Sequence, residues 1–520
     1  MHTTDFYCDL HGPIVESRRG KLRGFYEKGL YKFRGIPYAK AKRFHSPEPV
    51  DAWDGVKDCL CYGYTCPTIH NTSKERMMIM LEFRYWPQDE DCLNLNVFTQ
   101  NINNDVKKPV MVFIHGGAFA NGSSIEHLTY EPENLVKDED VVLVSLNHRL
   151  NILGYFNLAE YGEQYHNSVN LGMEDIVAAL KWVKENIAKF GGDPDNVTIF
   201  GQSGGGMKCT VLMQTPSTEG LYQKAILESG VTSSTLAVAS YEDGLKVADA
   251  VIKELGLTKE TISDIEDPEK YPYEKLRETF LKVEPGLLAA GVSTFWSPAA
   301  NDWYMGDPRT AGPTDLFRKT PIIAGTAIAE TAWFNDVYPD PDMSQEEKLE
   351  TLRARYGADT ERLLELFRKA YPEKDDLDYF YFDTLFRKGT IEYLDCKSEA
   401  GGAPIYSYML SYDFKVNGRV PAWHAADHPL VFKSYEMCPV MQDENCAKLS
   451  DQIAGSWAAF AHSGDPNNDD LTCEWKPYRK GDGEYTYIFD KENYLRDGYD
   501  RELVDETMAV YQNKIEMTNY

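Results

Sequence analysis

The stretch Val197-Thr198-Ile199-Phe200-Gly201-Gln202-Ser203-Gly204-Gly205 decides how the rest of the chain is read. Its first residues are a short β-branched and aromatic run, Val197–Gly201, that predicts a buried strand. A helix is predicted to follow over Gly206–Gln214. Between them lies G-x-S-x-G, and a strand before with a helix after is the context in which that motif forms a sharp elbow. Such a turn strains the serine backbone, and flanking glycines let neighbouring backbone approach without a Cβ clash. The Ser203 hydroxyl then projects from the turn, and the helix N-terminus faces any negative charge that develops there. Ser203 is the candidate nucleophile; the competing reading is a structural glycine turn.

Working outward, Pro109–His115 (PVMVFIH) and Val141–Asn147 (VVLVSLN) also read as buried strands. Glu174–Phe190 carries Ile176, Val177, Leu180, Val183 and Ile187 at helical spacing, and Gly191-Gly192-Asp193-Pro194 stops it. Alternation continues through Ala225–Ser229, Pro321–Thr326 and Pro404–Leu410. Strands separated by helices predict an α/β fold with a large, mostly parallel sheet covered on both faces. Ligands bind such sheets at the carboxyl ends of the strands. Tyr241–Leu255 and Gln345–Tyr371 read as helical insertions that build a cap or gorge wall. Asp500–Tyr520 reads as a terminal amphipathic helix that packs on its own core or on a partner, leaving monomer and homodimer both open.

His115-Gly116-Gly117-Ala118-Phe119 directly follows the Pro109–His115 strand. Glycines at a strand end expose backbone N–H groups. The N–H groups of Gly116 and Gly117, with that of Gly204, are candidates for an oxyanion hole. His115 reads as structural.

Composition narrows the classes. Apolar residues make up 42% and charged residues 26% of 520 residues, as in soluble globular proteins. Length alone suggests about three or four domains of about 150 residues, but a single enlarged α/β domain over 1–520 fits as well. A net charge of −28 argues against a nucleic-acid partner. No uninterrupted apolar run is long enough for a membrane span. Met1–Gly12 does not resemble a signal peptide, so a cytoplasmic location follows if Met1 is the natural start. Ten cysteines over this length do not make a disulfide-dense scaffold. The spacing of Cys59, Cys61, Cys66 and His70 does not suit zinc. Asp465–Glu474 lacks the glycine of a calcium loop, and Asp336–Glu347 reads as a solvated acidic loop. No metal or cofactor is expected.

Taken in order, these motifs resemble the type-B carboxylesterase and cholinesterase family of the α/β-hydrolase superfamily, over most of the chain. The resemblance is carried by Phe33-Arg34-Gly35-Ile36-Pro37-Tyr38-Ala39, Ala52-Trp53-Asp54-Gly55, Glu90–Val97, His115-Gly116-Gly117, Gly191–Pro194, Gly201–Gly205, and Trp457, Phe460 and Gly464-Asp465-Pro466-Asn467. It implies a Ser–Glu–His order, with Glu330 as the acid and His424, eight residues before Phe432, as the base. His424 would take the proton from Ser203, and Glu330 would fix the imidazole tautomer. His428 and Asp302 are the rival base and acid. The sequence departs from the family pattern at several points. Gln202 stands where Glu is common, which removes a negative charge beside the histidine. Gly204 stands for Ala and predicts a more flexible elbow. Thr331 stands for Gly, and Lys40-Ala41-Lys42 replaces a Pro-Pro pair.

In secreted relatives, cysteines at the positions of Cys66 and Cys92 form a disulfide; a reducing compartment would leave both as thiols. The intervening loop holds Met77-Met78-Ile79-Met80-Leu81, Phe83, Tyr85 and Trp86, which resemblance sets beside the gorge and whose flexible thioethers and aromatics suit varied apolar groups. Phe295 and Trp296 are candidate acyl-pocket walls. The implied activity is hydrolysis of a small-molecule carboxylic ester through an acyl-serine. Transfer to another alcohol, amide cleavage, and a non-catalytic adhesion relative are the alternatives; relatives of the last kind usually lack a triad residue.

Overall fold

The six short runs rich in Val, Ile, Leu and Phe are all strands of one sheet in the structure, a computed structural model that describes residues 6–69, 82–103, 105–233, 240–333, 343–415 and 419–511. The sheet has 12 strands. In chain order they are β1 (Phe6–Tyr7), β2 (Phe25–Glu27), β3 (Leu30–Pro37), β4 (Asn94–Thr99), β5 (Lys108–Ile114), β6 (Val142–Leu146), β7 (Gly192–Gln202), β8 (Lys224–Glu228), β9 (Ile322–Ala327), β10 (Ile405–Leu410), β11 (Tyr485–Phe489) and β12 (Tyr494–Asp497). Across the sheet they run β1-β2-β3-β4-β6-β5-β7-β8-β9-β10-β11-β12. From β6 to β11 every neighbouring pair is parallel. The edges, β1 to β4 and β12, pair antiparallel.

The continuous apolar character of the parallel strands follows from burial on both faces. Val110, Val112, Ile114 and Ile199 point into one core, and Met111, Phe113, Phe200 and Ile226 into the other. Helix α1 (Leu171–Asn186) buries Ile176, Val177, Leu180 and Val183, as its spacing predicts. It runs on as a tighter turn, Ile187–Phe190, and ends at Gly191, whose φ of 75° is the left-handed conformation favoured after a helix. Helix α2 (Gly204–Met213) starts two residues earlier than its sequence suggests. The helix-rich stretch Gln345–Tyr371 holds two helices, Gln345–Tyr356 and Thr360–Ala370. Gly357, at φ 62°, ends the first of them. The terminal helix is described over Arg501–Val510 and buries Leu503, Val504 and Thr507. No helix among the described residues is long and apolar enough to cross a membrane.

A buried ion pair ties α1 to the segment after β6. The Arg149 guanidinium donates to Asp175 Oδ2 at 2.8 Å and Oδ1 at 2.7 Å, its backbone N–H donates to Oδ2 at 3.0 Å, and Nη1 reaches the His45 carbonyl at 2.8 Å. Asp175 is fully buried. Removing one partner of such a pair strands the other charge away from water. Asp175→Ala is therefore expected to lower unfolding stability by about 3–5 kcal/mol; a urea midpoint within error of the parent would refute this.

Candidate active site

Ser203 sits at the turn between β7 and α2 with φ 54° and ψ −124°. This conformation costs a non-glycine residue about 1–3 kcal/mol and persists only when neighbours fix it. The Ser203 N–H donates to the Glu228 carbonyl at the end of β8 (2.8 Å), and the Met207 N–H donates to the Ser203 carbonyl (3.0 Å). The Glu228 side chain is itself held, accepting from Trp457 Nε1 at 2.6 Å. Burial, and then Asp427, push this carboxyl well above the usual range.

The glycines of the motif have steric work to do. A Cβ on Gly201 or on Gly205 would collide with the Ile114 carbonyl, and one on Gly206 with the Gly230 backbone. Gly204 differs from its expected reading as a source of flexibility. A Cβ there would overlap the N, Cα and carbonyl O of Ala118, so the loop after β5 has closed into the space. Ala118 itself has a positive φ of 49°. The Cα of Gly116 faces Gln202 and the Ser203 Cβ. Among the described residues, no acceptor takes the backbone N–H of Gly117, Ala118 or Gly204.

Glu330 opens a 3-10 turn, Glu330–Trp333, just after β9. The preceding Ala329 N–H donates to the Ala422 carbonyl at 3.0 Å, and Ala329 bridges Trp423 in parallel. That one bridge sets Glu330 beside His424. His424 Nδ1–H donates to Glu330 Oε2 at 2.5 Å. The other oxygen, Oε1, accepts from Ser229 Oγ at 2.5 Å and from the Ala327 N–H at 2.7 Å. Three donors offset the cost of burying this carboxylate completely. Gln202 Nε2 lies 3.1 Å from His424 Nε2 and 3.2 Å from Nδ1. Phe386, first residue of α3 (Phe386–Ala400), stacks on the imidazole with centroids 4.8 Å apart. Its turn is capped by Asp383, which accepts the N–H groups of Leu385, Phe386 and Arg387. Burial and the nearby Glu330 push Asp383 up to about 7.

The remaining candidates scatter. His428 is buried 3.6 Å from Glu228, edge-on to Phe113 and Tyr130, and burial holds it well below the usual imidazole range. Asp302 is exposed and pairs with His166 at 2.9 Å. Neither joins the Glu330–His424 pair. Phe295 packs edge-on to Phe119 of the loop after β5 (6.5 Å). Trp296 turns instead into the core against Phe280 and Phe156. Trp86 is half-buried against Tyr62, at 5.8 Å. Cys66 and Cys92 are free, buried thiols rather than a disulfide; Cys66 Sγ accepts the Leu150 N–H at 3.3 Å, and the neighbouring sulfur, then burial, push Cys92 well up. Met77–Leu81 lie outside the described residues. The sequence reading missed Ala118, Ser229 and Phe386. No local motif marks the last two, although Ala118 lies within the quoted His115–Phe119 segment.

Known proteins resemble this chain along most of its length. The model of the carboxylesterase family matches residues 11–507. The para-nitrobenzyl esterase of Bacillus subtilis (strain 168) is 33% identical over 92% of this chain and 95% of its own length. Liver carboxylesterase B-1 of Rattus norvegicus is 31% identical over 94% and 90%. A solved esterase from Clostridium hathewayi, described as able to hydrolyse aliphatic aromatic polyesters, superposes with a TM-score of 0.92 at 40% identity, covering 97% of this chain and 99% of that one. With an α/β-hydrolase sheet, a serine elbow and relatives that match along nearly its whole length, the chain belongs to the carboxylesterase family and is a serine hydrolase of carboxylic esters.

Proposed function

We propose that Ser203, His424 and Glu330 carry the hydrolysis, with the N–H groups of Gly117, Ala118 and Gly204 as the oxyanion hole. The observation that carries this reading is the Glu330–His424 hydrogen bond beside the strained elbow serine. His424 Nε2 takes the proton as Ser203 Oγ bonds to the ester carbonyl carbon. The carbonyl oxygen becomes an oxyanion that accepts from the three N–H groups. The tetrahedral intermediate collapses, the alcohol leaves with the proton from His424, and acyl-Ser203 remains. Water, deprotonated by His424, repeats the sequence and releases the acid. Glu330 keeps Nδ1 protonated and stabilises the imidazolium. Ala118 replaces Gly116 in the expected hole because its nitrogen is the one packed against Gly204.

The buried thiols Cys66 and Cys92 support a reducing, cytoplasmic setting. The polyester-cleaving relative supports uncharged aryl and alkyl esters as substrates, including those of aliphatic–aromatic polyesters. Release of terephthalate from bis(2-hydroxyethyl) terephthalate is the direct assay.

Ser203→Ala should fold normally and lose p-nitrophenyl ester turnover by on the order of 10⁴-fold or more. Substantial residual turnover would identify another nucleophile. Gly204→Ala should displace Ala118 and cost about 10²-fold in kcat; parent-like kcat would show that the loop gives way freely. Gln202→Glu adds a carboxylate against the imidazole and favours its protonated form. The base form then exists only at higher pH, so the acid limb of the kcat/KM profile should move up by about 0.5–1 unit. An unmoved or lowered limb would count against His424 as the base.

A further inference from the structure

Lys208 lies in the first turns of α2, five residues after Ser203, and is fully buried. No carboxylate stands within ion-pair distance of it among the described residues. Its Nζ donates instead to the backbone carbonyl of His115, at 2.8 Å. A buried ammonium on a neutral carbonyl is a costly arrangement, which asks what it does there.

The carbonyl it holds opens the loop after β5. The next carbonyl, of Gly116, accepts from His115 Nδ1–H at 2.9 Å. The one after, of Gly117, accepts from the Ala120 N–H at 3.2 Å and the Asn121 N–H at 3.0 Å. Three successive carbonyls are thus tied down. In a trans peptide the N–H points opposite to the C=O of the same plane. The anchors on the Gly116 and Gly117 carbonyls therefore aim the N–H groups of Gly117 and Ala118, and the Lys208 anchor on the His115 carbonyl fixes the peptide from which that loop departs. The second and third anchors are internal to the loop. Among the described residues the hydrogen bond that ties the loop to α2 is the one from Lys208, and it adds to the packing of Gly204, the first residue of α2, on Ala118.

The groups around Lys208 suit a single cation. It faces Glu126, His115, His148 and, on its own helix, Cys209. His115 and His148 stack at 4.8 Å, 14° from coplanar. Burial first, and Lys208 second, hold both well below the ordinary imidazole range. Neutral His115 has one ring N–H, and Gly116 O fixes it on Nδ1. Burial pulls Lys208 down to about 7. An amine donates to His115 O in either protonation state, so the anchor outlasts the charge.

We propose that Lys208 is a positioning residue for ester hydrolysis, holding the His115 carbonyl so that the N–H groups of the following loop face the developing oxyanion over Ser203. This rests on the serine reading given above. The test compares Lys208→Met, which removes the donor, with Lys208→Gln, which keeps a donor without charge. With p-nitrophenyl acetate, Lys208→Met should lose about 10²-fold in kcat with KM within about threefold. Its affinity for an aryl trifluoromethyl ketone, which mimics the tetrahedral intermediate, should fall by a similar factor. Lys208→Gln should stay within about tenfold of the parent. The proposal is overturned by a folded Lys208→Met with parent kcat and inhibitor affinity. It is also overturned if Lys208→Gln folds and falls as far as Lys208→Met, or if neither variant folds, which makes Lys208 a scaffold residue. Ser203→Ala run alongside separates the two readings. An active Ser203→Ala sinks both, whereas an inactive one beside a parent-like Lys208→Met sinks only this one.

Discussion

Everything at the site depends on how closely the end of β5 approaches the elbow after β7. The Ile114 carbonyl lies where a Cβ of Gly201 or Gly205 would stand. Two backbones meet there with no side chain between them, and this close contact fixes the path of the loop on one side and of Ser203 on the other. Strain at Ser203 is tolerable because the parallel sheet holds β7 between β5 and β8 before the turn and helix α2 continues directly from its far side. A small displacement of β5 would move the nucleophile and the donors facing it together.

The second half of the machinery is attached by different means. Glu330 and His424 come from loops after β9 and β10, separated by 94 residues. The Ala329–Trp423 bridge joins those loops, so backbone pairing brings the two residues together, and Phe386 then holds the imidazole by stacking on it. Ser229, at the end of β8, then ties Glu330 back toward the elbow. Glu228, one residue earlier, binds the nucleophile through its backbone and Trp457 through its carboxyl. Adjacent residues of one strand end thus brace the acid and the nucleophile.

Much of this was legible before any coordinates. The central strands announce themselves because burial on both faces demands unbroken apolar runs, and the elbow because its glycines are sterically required. The edge strands Phe6–Tyr7 and Phe25–Glu27 escape notice because they are short and partly exposed. Ser229 and Phe386 are invisible for a different reason. Their roles exist only through contacts between distant segments, such as the 101 residues that separate Ser229 from Glu330, and no spacing encodes these. Ala118 was passed over because exposed donors suggest glycine, whereas any residue supplies a backbone N–H. Resemblance, rather than periodicity, pointed to the acid and base.

Gly204 carries a consequence for how such a sequence drifts. Its missing methyl is filled by the Ala118 backbone, so the two positions do not vary independently. Alanine becomes tolerable at 204 only after the facing loop has withdrawn, and a withdrawn loop leaves a void while glycine remains. The order of substitution then governs which intermediates survive, an epistasis written into a single van der Waals contact.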